Sequence, residues 1–211
     1  MLQAYLATLV GLIAMQVAPG PNLLAVASAG MGQGRRSALL IALGVASGAA
    51  IWVFLVAMGI GVAVKNHPEL LTVLKFAGGG YLMWIGARAL LSALKGQNTR
   101  IAQTEDACSD WVSWRRGLFV VMSNPKAALG WAAIASFMFG AGLTALQVAA
   151  FAPLAALSAI MVYGGYALLF STGRAVRTYQ RFWRGVELVF GGVFGAMGAS
   201  LLLAGARDLR P

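Results

Sequence analysis

Ala18-Pro19-Gly20-Pro21-Asn22, inside an apolar run that opens at Leu2, and Ser123-Asn124-Pro125-Lys126, inside another that opens at Gly117, decide how this chain folds. Proline has no N–H and clashes with the carbonyl four residues back, so the C=O groups of Met15, Val17 and Val121 cannot all keep helical partners. In hydrocarbon an unsatisfied backbone group costs several kcal/mol, so irregular backbone persists there only when buried in protein or lining a watery cavity. Interruptions at matching places in two halves of a chain point to the binding site of a transporter.

The composition supports a membrane setting. Of 211 residues 60% are hydrophobic and 10% charged, and the mean hydropathy is +0.78, far from the usage of a soluble domain. Six stretches are apolar and long enough to cross a core of about 30 Å at about 1.5 Å per residue. They run roughly Leu2 to Ala29, Ala38 to Val64, Leu70 to Leu94, Gly117 to Phe139, Leu146 to Phe170 and Val186 to Ala204. The expectation is an all-α integral membrane protein with six transmembrane helices, the first and fourth broken by proline. The third is the weakest, because Lys75 and Arg88 must snorkel to opposite surfaces; a re-entrant segment is the alternative.

The net charge of +10 matters less than its distribution. With the N-terminus outside, Arg35, Arg36, Arg88, Lys95, Arg100, Arg115, Arg116, Arg174, Arg177, Arg181 and Arg184 fall inside. Lys65, Lys75, Arg207 and Arg210 fall outside, and Lys126 lies within the membrane. The positive-inside rule therefore places both termini outside the cytoplasm. No basic patch interleaved with aromatics suggests nucleic acid, so the expected partners are membrane lipid and a small solute. The first stretch lacks the basic start of a secretory signal and is too long for one, so it reads as a retained helix. The lone cysteine, Cys108, excludes an intramolecular disulfide and reads as a bystander thiol.

Cys108 lies in the polar stretch 95–113 with Glu105, Asp106 and Asp110, which reads as a solvated cytoplasmic linker ending at an interfacial Trp111 and Trp114 pair. Cutting there divides a single transporter domain, 1–211, into repeat one, 1–94, and repeat two, 114–211. Three spans per half is odd, so the second half starts from the opposite side, as two three-helix inverted repeats require.

In that arrangement the half-helices after Asn22 and Asn124 point their N-termini toward each other. Free N–H groups near Leu23, Leu24, Ala127 and Ala128 would then share a cavity, and helix N-termini favour anions such as carboxylates. Asn22 and Asn124 add amide donors or cap the half-helices, and Lys126 adds a full charge. Pro19, Gly20, Pro21, Asn22, Asn124, Pro125 and Lys126 are thus the candidate substrate-binding residues. Against this, prolines in membrane helices are often plain kinks, and Lys126, about 15 Å deep from Arg116 at the helical rise, can be read as snorkelling. Glu187, the one acid inside a span, is either a coupling group for protons or an interfacial partner of Arg184 one turn away. The GxxxG pairs Gly44/Gly48 and Gly191/Gly195 serve packing within the chain or a homodimer seam. His67 stands without companion ligands, so no metal site is expected.

These residues also carry a resemblance. Ala18-Pro19-Gly20-Pro21-Asn22, Gln33-Gly34-Arg35-Arg36, Val73-Leu74-Lys75-Phe76-Ala77-Gly78, Tyr81-Leu82-Met83-Trp84-Ile85-Gly86 and Asn124-Pro125-Lys126-Ala127, in this order, resemble the lysine exporter (LysE/RhtB) family. The resemblance implies a six-helix bacterial inner-membrane exporter of amino acids or related metabolites, driven by the proton or membrane potential gradient, without a cofactor. Members of that family often carry an acid in the second or fifth helix, where this chain has Ser47 and Gly48, and Ser158 and Ala159. Glu187 is then the remaining intramembrane candidate for coupling. The segment Trp131 to Phe139 replaces the family's usual Leu-Pro-Gln-Phe ending, which bears on substrate choice. The competing classes are a passive channel and a membrane-embedded enzyme or redox carrier; for the latter, Cys108 and His67 supply neither a cysteine pair nor a nucleophile with its base.

Overall fold

The computed structural model describes residues 2–18, 20–60, 66–67, 69–95 and 109–209. The readings placed on Pro19, Lys65, Arg100, Glu105, Asp106, Cys108 and Arg210 lie outside them. Among the described residues the chain forms nine α-helices and no strand: α1 (Leu2–Val17), α2 (Pro21–Gly32), α3 (Arg35–Leu55), α4 (Glu69–Lys95), α5 (Asp110–Met122), α6 (Pro125–Gly140), α7 (Ala145–Ala149), α8 (Ala152–Phe170) and α9 (Gly173–Asp208). A π-helical turn, Val56–Ile60, continues α3.

The two proline motifs break their helices as expected. α1 and α2 meet at 52°, and α5 and α6 at 59°. Pro21 and Pro125 stand in the first turns of α2 and α6, where a missing N–H costs nothing. Three helical stretches, Arg35–Gly59, Ala145–Phe170 and Phe182–Asp208, are long and apolar enough to cross a membrane, and the total is five if each bent pair is one span. The protein is therefore a multi-pass membrane protein. α4 is not counted among these. It is nevertheless one continuous helix of 27 residues, about 40 Å at the helical rise, and not a broken re-entrant loop.

Three boundaries differ from the hydropathy reading. The fifth stretch is interrupted near Ala150, because Pro153 stands in the first turn of α8; the preceding short turn α7 carries a capping box between Thr144 and Gln147. α5 begins at Asp110, capped by the Ser109 side chain, so residues 110–113 are helical and Ser113 is buried against Ser37 (Oγ to Oγ 2.9 Å). α9 begins at Gly173, within the segment read as a basic connection. No proline interrupts that segment, and straight-chain basic residues favour helix once clear of the apolar layer.

Packing fixes helix directions. Gly44 and Gly48 on α3 face Trp114, Leu118 and Val121 on α5, and Gly117 of α5 faces Ile41, so these helices run parallel. A Cβ at Gly44 or at Gly117 would overlap the backbone carbonyl oxygen of Trp114 or Ile41, so only glycine permits the approach. α1 is likewise parallel to α8, with Tyr5 bonded to the Gln147 carbonyl, Gln16 to Ser158 and Asn22, just past the break, to Tyr163. α4 runs antiparallel to α9: Gly79 meets Gly198, and Gly86 meets Gly191 and Gly195. Gly44, Gly48 and Gly191 are thus covered within the chain, while a Cβ at Gly195 would meet nothing within 4 Å.

Charged side chains mark the helix ends. Arg36 at the start of α3 pairs with Asp110 at the start of α5 (2.5 Å). Trp111 stacks on Trp114 with centroids 4.9 Å apart, and Arg88 lies over the Trp84 ring. Lys75, 8% exposed, escapes isolation by pairing with Asp208 at the end of α9 (2.6 Å).

Candidate functional site

The carbonyls freed by proline find donors on distant helices. Pro21 cannot bond to the Val17 carbonyl, and the Tyr166 hydroxyl of α8 donates to it instead (2.9 Å). Pro125 cannot bond to the Val121 carbonyl, and the Trp52 indole N–H of α3 donates to that one (3.3 Å). The Val17 and Val121 carbonyls each accept from an aromatic donor in the other half of the chain. That is the condition under which broken backbone persists in hydrocarbon.

The breaks also touch each other. Asn124 Nδ2 donates to Asn22 Oδ1 (3.2 Å), Asn22 Nδ2 donates to the Tyr163 hydroxyl (3.3 Å), and Asn124 Oδ1 accepts the Lys126 amide N–H (3.0 Å). Asn22 and Asn124 are buried, 9% and 6% exposed. Asn124 is the expected cap of α6, whereas α2 is capped by Gly20 without a side-chain bond. Lys126 extends across the gap: its Nζ lies 3.5 Å from where a Gly20 Cβ would stand.

Two expected amide donors are already committed. Leu24 N–H donates to the Gly20 carbonyl and Ala128 N–H to the Asn124 carbonyl, both at 3.0 Å, as the first intrahelical bonds of α2 and α6. The Lys126 N–H is committed as well, to Asn124 Oδ1, so what is left to favour an anion is the first turns around Asn22, Leu23 and Ala127 and the Lys126 ammonium.

These groups line a cavity of about 30 Å³. Gly20, Asn22, Asn124 and Lys126 from the sequence reading are in its wall, with Gln16, Trp131 and Tyr163 beside them and Leu12, Val45, Ala49 and Ala159 completing an apolar surface. Pro21 is exposed and takes no part in the wall. Pro125 opens α6, and Pro19 lies outside the described residues. Glu187 is half-buried on α9 and, although outside the wall, it and Lys126 each lie in the other's Coulombic field. Arg184, its alternative partner, instead reaches over the Trp183 ring.

Gln16, Tyr163, Tyr166 and Trp52 escaped the sequence reading. Gln16 alone had a visible signal, an amide in an apolar helix one turn before the break; the aromatics look like ordinary membrane residues until their partners are known. Gln16, 4% exposed, donates through Nε2 to Ser158 Oγ (3.0 Å), while its Oε1 has no partner among the described residues. An unmet buried acceptor costs about 1–3 kcal/mol.

Helices broken inside a bundle, with half-helix N-termini and a lysine around a shared cavity, are an arrangement shared with membrane transporters built on discontinuous helices. The chain matches the LysE type translocator family over residues 13–205, and it belongs to that family. It is 25% identical over 189 residues to the threonine efflux proteins of Salmonella typhi and Salmonella typhimurium, covering 89% of this chain and 92% of each relative. It is 34% identical over 125 residues to the leucine efflux protein of Salmonella choleraesuis, covering 59% of this chain and 58% of that relative. These relatives are efflux transporters and not enzymes. No solved structure matches the chain.

Proposed function

We propose that this protein exports amino acids from the bacterial cytoplasm across the inner membrane by alternating access, with both termini outside. The observation that carries the reading is the cavity between the two breaks, where the Asn22–Asn124 bond and the reach of Lys126 toward Gly20 join the halves. The named efflux activities of the relatives fit this site.

The parallel pairs α1 with α8 and α3 with α5 support six crossings in two inverted repeats, 1–94 and 114–211. An inverted repeat converts one pair into the other, and it likewise converts the Tyr166 bond to the Val17 carbonyl into the Trp52 bond to the Val121 carbonyl. In this reading the first turns of α2 and α6 with the Lys126 ammonium hold the substrate carboxylate. Pro19, Pro21 and Pro125 set the breaks. Glu187 couples the cycle to protons by exchanging the Lys126 charge between itself and the substrate carboxylate.

Counterflow of labelled amino acids in proteoliposomes tests the reading. An accumulated amino acid is expected to compete at least about tenfold better than its own carboxamide, since a charge-assisted hydrogen bond contributes about 1.5–3 kcal/mol. Lys126→Met should insert normally and lose accumulation. Equal competition by acid and carboxamide refutes the carboxylate site, and flux without accumulation under a proton or potential gradient indicates a channel.

A further inference from the structure

Two buried side-chain atoms have no hydrogen-bond partner among the described residues, Gln16 Oε1 and Thr8 Oγ1. Both lie on one face of α1, eight residues apart, with the cavity-lining Leu12 between them. That spacing stacks residues on a single helical stripe. Ser158 Oγ donates to the Ala155 carbonyl (2.9 Å) and accepts from Gln16 Nε2 (3.0 Å), which leaves Gln16 Oε1 as the unmet acceptor.

The wall of the cavity therefore combines two chemically different elements: the Lys126 ammonium and helix N-termini, which attract an anion, and Gln16, whose Oε1 is buried without a partner among the described residues. A solute with a carboxylate alone would leave that acceptor unmet. We infer that Gln16 Oε1 is the subsite for the substrate's α-ammonium group, and that Thr8 is the next polar contact on a route along α1 away from the cavity. This rests on the export reading and deepens it: the site demands a zwitterion, and the Gln16 stripe distinguishes an amino acid from the corresponding carboxylic acid. Apolar walls at Leu12, Val45, Ala49 and Ala159 suit the region between the two charged groups.

The test uses purified full-length protein in proteoliposomes, with the amino acid showing strongest counterflow and two analogues, its carboxamide and its deaminated acid. In the unaltered protein the deaminated acid should compete at least tenfold more weakly than the parent. In Gln16→Met, which keeps the side-chain length and removes the acceptor, that gap should shrink to under threefold while the gap to the carboxamide is retained. Thr8→Val should leave binding competition unchanged and slow efflux severalfold. If the deaminated acid competes as well as the parent in the unaltered protein, the ammonium subsite is refuted even if Gln16→Met fails to fold. An unchanged gap in a folded Gln16→Met refutes it as well, and normal efflux by Thr8→Val refutes the route. Failure of every amino acid to give counterflow overturns the export reading, and this one with it.

Discussion

Tyr166→Phe removes one hydroxyl and, with it, the donor that serves the Val17 carbonyl at 2.9 Å. The carbonyl has no replacement four residues on, because Pro21 lacks an N–H. Stranding a buried acceptor costs about 1–3 kcal/mol, and a typical interhelical hydrogen bond in a membrane protein contributes about 0.6 kcal/mol. The expected loss lies in the upper range, since the wild-type bond is all that the proline leaves available. The deciding comparison is made in a Pro21→Ala background. Alanine restores the N–H at position 21, allowing the ordinary helical bond to Val17, so the same Tyr166→Phe change should there cost under about 0.5 kcal/mol. Reversible unfolding in mixed micelles, followed by tryptophan fluorescence, measures all four corners of the cycle. A coupling near or above about 1 kcal/mol supports the argument. Equal costs in both backgrounds would show that the hydroxyl does not replace the donor proline lacks, and the reading of the break would fall.

The same cycle with Trp52→Phe and Pro125→Ala should show coupling of the same sign, because Trp52 serves the Val121 carbonyl in the same way; additivity there would limit the account to the first break. A cysteine placed at Asn66 should react with an impermeant thiol reagent in intact cells while native Cys108 reacts only after permeabilisation, and the reverse pattern would refute the outward termini. Gly117→Ala should lower the thermal unfolding midpoint of the purified protein by several degrees, because its Cβ would meet the Ile41 backbone, whereas Gly80→Ala, with open space around it, should leave it unchanged; equal midpoints would mean that α3 and α5 can separate without cost.

Much of the architecture is legible in the chain because membrane crossing imposes long apolar runs, and because proline announces its own missing donor. The bends at Pro21 and Pro125, the Asn124 cap and the place of Lys126 near Gly20 follow from that local chemistry. What hydropathy cannot reveal is which distant group answers each orphan. Tyr166, Trp52 and Tyr163 become site residues only through tertiary contact, and a tyrosine or tryptophan in a membrane helix has many ordinary uses. Leu24 and Ala128 show the opposite error: counted as free amides from their distance to the break, each is the first donor of its own helix. The Pro153 interruption is hidden because the surrounding residues stay apolar through the turn.

The glycine contacts bear on how the protein is made. Gly44 and Gly48 of α3 are covered by α5, and Gly79 and Gly86 of α4 are covered by α9, so two helices of the first half are matched to helices synthesised later. During translation these narrow glycine faces wait, against lipid, for partners that have not yet left the ribosome. The halves are therefore not self-sufficient modules that dock after folding. The first half is an open template that the second half completes, and α9 closes the seam along α4.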